Sequence, residues 1–217
     1  MKPKLIFPWL LILVVAGLAA CQNNGFSDQH EALQWFPNKV GDSWTYAVTD
    51  TAYGHRWGQA LVTDTLRVSI IGTTKYPDGT PATIWQTVWP KNMHPTASRI
   101  DTTYVILSGD SVLVSPYLAV FSNGKKHIYH IYVFPFQTGN GWRLGPDSSR
   151  VVSRDTLSVP AGTFTDVYRI STGGGGINAF FSQDTWFKAG IGIVQVTHAE
   201  WNYLAKYTWK LLDYHVK

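Results

Sequence analysis

From Trp35 onward apolar and polar residues alternate with a period of two, the spacing of strands whose faces differ in wetness. Trp44, Tyr46 and Val48 share one face of a first segment, and Ser43, Thr45 and Thr49 share the other. Residues 61–71 repeat the pattern, with Val62, Leu66, Val68 and Ile70 opposite Thr63, Thr65, Arg67 and Ser69. Tyr76-Pro77-Asp78-Gly79 then supplies a turn. In 83–89, Ile84 and Val88 oppose Trp85 and Trp89. Further strands are expected at 102–107 and 111–121, joined through Ser108-Gly109-Asp110, and at 126–134. This last segment is apolar on both faces, which predicts cover on both sides. Residues 150–159 and 164–170 flank a turn at Pro160-Ala161-Gly162, and 179–187, 193–204 and 206–215 complete the series. Gly173-Gly174-Gly175-Gly176 is expected to form a mobile loop, and Ala189-Gly190-Ile191-Gly192 a tight connection. Roughly ten short strands punctuated by Gly, Pro and Asp predict an all-β fold: a single antiparallel, strongly curved sheet, rolled into a half-barrel or closed as a barrel.

The first twenty residues break this pattern. Lys2 and Lys4 precede an apolar stretch at 5–17, and Leu18-Ala19-Ala20 leads directly to Cys21, the single cysteine of the chain. The stretch contains Pro8 and falls short of the ~20 apolar residues that a spanning helix needs. A cleaved signal over 1–20 is expected. The Leu-Ala-Ala-Cys sequence resembles a bacterial lipoprotein processing site, at which the Cys21 thiol receives a diacylglyceryl group and becomes the new terminus. One acyl chain holds a protein to a bilayer marginally, whereas two or more hold it stably. Gln22, rather than Asp, follows the cysteine, and this favours the outer membrane in a Gram-negative envelope. Residues 21–34 are polar and are expected to act as a tether, with the β domain occupying 35–217.

Composition narrows the function. The formal net charge of +4 owes half its value to Lys2 and Lys4, and no basic run exceeds Lys125-Lys126, so nucleic acid is not an expected partner. A lone cysteine leaves no disulfide to support the fold. Stability must come from a core rich in 10 Trp, 11 Tyr and 10 Phe. Glutamate is confined to Glu31 and Glu200, as befits a chain poor in strong helix formers.

Three segments carry a resemblance. Phe36-Pro37-Asn38-Lys39-Val40-Gly41-Asp42-Ser43-Trp44-Thr45-Tyr46, Val159-Pro160-Ala161-Gly162-Thr163-Phe164 and Trp186-Phe187-Lys188-Ala189-Gly190-Ile191-Gly192-Ile193-Val194 are similar, in that order, to motifs of a loose group of uncharacterised bacterial exported proteins and lipoproteins. The resemblance implies a curved antiparallel sheet and lends no activity. Each motif also has a structural reading: Pro160 presets a turn, Gly162 permits positive φ, and Phe164 returns to the core.

Candidate chemistry is sparse. His127 and His130, three apart on a strand, point to opposite faces. His198 and Glu200 share a face, with Asn202 beyond them, and are expected to form a solvent-facing polar stripe rather than a metal or acid–base pair. The glycine run lacks the Lys-Ser/Thr ending of a phosphate loop, and no serine sits in a G-x-S-x-G elbow. No cofactor, metal or enzymatic activity is expected. Tryptophan supplies the remaining lead, since an indole joins a large apolar face to one donor. Trp85, Trp89, Trp201 and Trp209, with Trp142, are candidates to line an apolar concavity. The leading expectation is a lipid-anchored envelope protein that binds an apolar ligand; architecture of this kind resembles that of periplasmic lipoprotein carriers. The alternative is a surface module that holds a glycan or an envelope protein on outward-facing aromatic residues.

Overall fold

The computed structural model describes residues 35–50, 62–90, 99–118, 125–176, 179–200 and 205–217. Twelve strands form one sheet: β1 (Ser43–Asp50), β2 (Val62–Lys75), β3 (Pro81–Val88), β4 (Ile100–Ser108), β5 (Ser111–Ser115), β6 (His130–Val133), β7 (Gly141–Leu144), β8 (Asp147–Val159), β9 (Gly162–Gly176), β10 (Ala179–Lys188), β11 (Gly192–Glu200) and β12 (Ala205–His215). Each pairs antiparallel with its sequence neighbour, except that β6 and β7 share no ladder while β1 pairs with β12. The sheet therefore rolls into a nearly closed barrel whose only seam among the described residues lies between β6 and β7. At that seam the Trp142 indole N–H donates to the Ile131 carbonyl at 2.8 Å, so a side chain stands where a ladder would be.

The twelve strands include the eleven segments expected from alternation, plus β7. Strands β5 and β6 are shorter than expected, ending at Ser115 and beginning at His130. Among the described residues no second layer lies over 126–134, and Tyr129, just before β6, is 47 % exposed. Its apolar residues sit beside an edge, not beneath another layer. The 173–176 run is likewise strand, not loop, with Gly173 opposite Ser182 and Gly174 opposite Phe181. A Cβ on Gly174 would lie 1.8 Å from Asp147 Oδ1 and 2.9 Å from Phe181 Cε1. Glycine is needed here because two side chains lie across its backbone. Gly174→Val is expected to destabilise the protein by about 1–3 kcal/mol through overpacking, read from the midpoint of urea unfolding; an unchanged midpoint would show that Asp147 and Phe181 move aside freely.

Strand number explains the interior. Barrel width grows with the number of strands, and eight strands already leave room for side chains to fill the middle. Twelve leave more, and one half is filled by aromatic bulk. Trp35, Phe36 and Pro37 enter as a plug, anchored where Gly190 N–H donates to the Trp35 carbonyl at 3.0 Å. Phe36 stacks on Phe187 at 5.9 Å and on Trp85 at 5.5 Å, and also meets Tyr132 and Phe134. Trp85 in turn stacks on Trp44 at 5.1 Å. Around this column, Val105, Val112, Val151 and Ile170 form one buried cluster and Tyr46, Val48, Leu66 and Leu211 another.

The resemblance-bearing segments meet at this filled end. Trp44 Nε1 donates to the Ile191 carbonyl at 2.6 Å, and the Tyr46 hydroxyl to the Ile193 carbonyl at 2.9 Å. Gly162 has a φ of 138°, a region closed to most side chains, and it completes the β8–β9 turn. That hairpin reaches β12, where Ala161 N–H donates to the Leu211 carbonyl at 2.9 Å, and Phe164 packs partly buried against the second cluster. Asp42, fully buried, accepts from the backbone N–H groups of Lys39 at 2.9 Å and Lys217 at 3.0 Å. These contacts close one end of the barrel and leave the other to the site.

Candidate functional site

Above the aromatic plug the barrel is hollow. The cavity there has a volume of about 440 Å³, inside the ~300–1,000 Å³ range of small-molecule sites. Its wall follows from strand register, because residues directly opposite on neighbouring strands face the same side. Val48 pairs with Trp209, Tyr46 with Leu66, Val68 with Thr87 and Trp85 with Thr103, which carries one inward-facing row from β12 through β1, β2 and β3 to β4. Tyr46, Val68, Trp85, Trp89, Tyr207 and Trp209 make this part of the lining apolar and aromatic.

Next to it runs a stack of rings. Phe181, His198, Tyr207 and Trp209 follow one another with centroid separations of 5.8, 4.6 and 5.6 Å and interplanar angles of 17°, 10° and 21°. Trp89 meets Trp209 edge-on at 5.5 Å, and its indole N–H donates to Asp101 at the rim. The opposite arc is polar. Ser149, Thr172 and Gln183 sit in register across β8, β9 and β10, with the Ser149 and Thr172 hydroxyls hydrogen-bonded at 2.9 Å. Asp147 stands beside this row, over Gly174.

Of the sequence-derived candidates, Trp85, Trp89 and Trp209 line this one cavity. They differ in role. Trp85 is a floor residue, clamped between Phe36 and Trp44 with its N–H donated to Asn38 Oδ1 at 2.9 Å, whereas Trp89 and Trp209 belong to the wall near the rim. Trp142 is spent on the seam. Cys21 and Trp201 lie outside the described residues. His198 and Glu200 do share a face and are 3.1 Å apart, but the face is the inner one: His198 is 8 % exposed, sandwiched between Phe181 and Tyr207. The solvent-facing stripe expected there is an inward aromatic wall. Among the described residues no three His, Cys, Asp or Glu side chains gather as a metal site would require.

Burial sets the charge of the lining. It pushes the hydroxyls of Tyr46 and Tyr132 well above the ordinary tyrosine range, so both stay neutral. Burial also pushes the His130 imidazole down to about 4. The ring lines the cavity, and Tyr132 lies across it at 4.5 Å. The sign of the linkage follows. A histidine depressed below its ordinary ~6.5 contributes stability that is present above that pH and is lost as pH falls toward 4. Stability is expected to fall through this window with a slope of up to about 1.4 kcal/mol per pH unit from His130. His130→Gln should flatten that part of a plot of unfolding free energy against pH; an unaltered slope would place the acid sensitivity elsewhere.

No protein-family model and no curated protein matches the chain. Solved structures resemble it at low identity. A Bacteroides fragilis protein assigned as exported, with a YmcC-like fold, aligns with a TM-score of 0.48 and 15 % identity, covering 83 % of this chain and 98 % of that one. A Parabacteroides distasonis protein assigned as a lipoprotein aligns at 0.37 and 13 %, covering 83 % and 97 %. A LolA-superfamily protein from Nitrosomonas europaea aligns at 0.27 and 9 %, covering 88 % and 91 %.

Proposed function

We propose that the protein is a lipid-anchored component of a bacterial cell envelope, held at the outer membrane through Cys21, and that its barrel binds an apolar ligand without transforming it. The observation that carries the ligand reading is the cavity itself, a hollow of about 440 Å³ above an aromatic plug, walled on one side by Trp89, Tyr207 and Trp209. Close packing is the rule for protein interiors, and a hollow lined by apolar side chains gains dispersion contacts and sheds water when an apolar molecule fills it. The address rests on the Leu18-Ala19-Ala20-Cys21 sequence. The surface-module alternative needs exposed aromatic residues: Tyr117, Tyr129, Phe180 and Tyr214 are exposed, whereas the seven described tryptophans are all buried or partly buried.

Two measurements test the two halves. Metabolic labelling with a clickable fatty acid is expected to mark the wild-type chain and to leave Cys21→Ser unmarked; label retained by the variant would end the lipid-anchor reading. Native mass spectrometry of protein released from envelopes is expected to show a non-covalent apolar adduct lost on collisional activation. A bare mass, joined to failure to bind any added amphiphile, would end the ligand reading.

A further inference from the structure

Among the described residues that line the cavity, the charged ones are both aspartates, Asp101 and Asp147. Asp147 is partly buried in the wall, set over the backbone of Gly174, and takes part in none of the ion pairs formed among the described residues. Asp101 stands at the rim, held by the Trp89 indole N–H. Among the described residues no lysine or arginine lines the cavity; Arg99, the cation at its edge, donates to the Trp89 carbonyl at 3.4 Å. His130 supplies no compensating charge at neutral pH, because burial keeps its imidazole neutral. The chain carries +4, of which Lys2 and Lys4 in the expected signal supply half, so the two lining carboxylates are opposite in sign to the molecule's net charge. Carboxylates accept hydrogen bonds and donate none. Asp147, partly buried beside an apolar wall, is less screened by water than the exposed Asp101, and there a second anion is repelled and a donor or cation attracted.

We infer that the cavity takes an amphiphile whose polar end is a cation or an uncharged hydrogen-bond donor, and turns away one that ends in carboxylate or phosphate. The inference rests on the reading of the cavity as an apolar-ligand site and adds what the ligand's other end must be. Asp147 and Asp101 set this preference, while Ser149, Thr172 and Gln183 accommodate either donors or acceptors.

The test holds chain length constant and varies the head. The full-length protein in amphipol, with empty amphipol as baseline, is loaded with the neutral fluorophore N-phenyl-1-naphthylamine and titrated with dodecylamine, dodecanol or dodecanoate. Dodecylamine and dodecanol are expected to displace the fluorophore, with dodecanoate at least tenfold weaker. The double variant Asp101→Asn, Asp147→Asn is expected to narrow that gap severalfold. Dodecanoate equal to or better than the other two would overturn the selection and leave the apolar cavity standing. Failure of the fluorophore and all three amphiphiles to bind would overturn the cavity reading itself. A wild-type gap that the folded double variant preserves would overturn the assignment to these carboxylates; if the double variant does not fold, the wild-type ranking decides.

Discussion

Phe36→Ala is expected to destabilise the protein by about 3–5 kcal/mol, the range for removing a phenyl ring from a packed core. Phe36 is 4 % exposed and touches four rings contributed by three separate strands and the segment after β6: Trp85, Tyr132, Phe134 and Phe187. These neighbours are held from behind, Trp85 by Trp44 and by Asn38, and so cannot collapse into the vacated space. The loss should therefore fall toward the upper part of the range. Chemical unfolding followed by tryptophan fluorescence and far-UV circular dichroism would measure it. Phe180→Ala is the control, since that ring is 58 % exposed and should change stability by no more than about 0.5 kcal/mol. A shift for Phe36→Ala as small as the control's would mean that the plug is not part of the core.

The same residue shows what the sequence made legible. Phe36 precedes the first alternating strand, and no local pattern marks it as an interior plug; the contact with Phe187 spans most of the chain. Alternation was readable because each strand has one wet face, so the inward rows of β1, β2 and β12 stand out as Trp44-Tyr46-Val48, Leu66-Val68 and Tyr207-Trp209. Strand β7 was not readable, since Gly141–Leu144 offers one alternation between glycine-bearing turns. The glycine run misled for a related reason: Gly174 is dictated by Asp147 and Phe181, which approach it from other strands. Trp85, Trp89 and Trp209 were visible as a group of indoles on sheet faces. That they converge, that Trp142 goes to the seam instead, and that His198 and Glu200 face inward depend on barrel closure. Closure is a property of pairings such as Trp44 with Tyr214, far apart in sequence. The polar row of Ser149, Thr172 and Gln183 carried no local signal at all, because it exists only in the cross-strand register.

That dependence on closure makes the cavity testable by filling it. Thr103 lies on β4 directly opposite Trp85 and faces the hollow, between buried Val105 below and Asp101 at the rim. Thr103→Trp is expected to weaken displacement of N-phenyl-1-naphthylamine by dodecanol, and binding of the fluorophore itself, by at least tenfold, about 1.4 kcal/mol. The indole enters space that is already empty, so the overpacking cost of about 1–3 kcal/mol typical of filled cores should largely be avoided and the unfolding midpoint should hardly move. Thr102→Trp, one residue earlier and directed to the opposite face, should leave binding unchanged. Calorimetric titration separates the cases without relying on the fluorescence of the introduced ring. Equal binding by both variants would mean that apolar molecules settle somewhere other than the hollow above Phe36. Loss of binding only in Thr103→Trp, with stability retained, would tie the ligand to the hollow that the plug leaves unfilled.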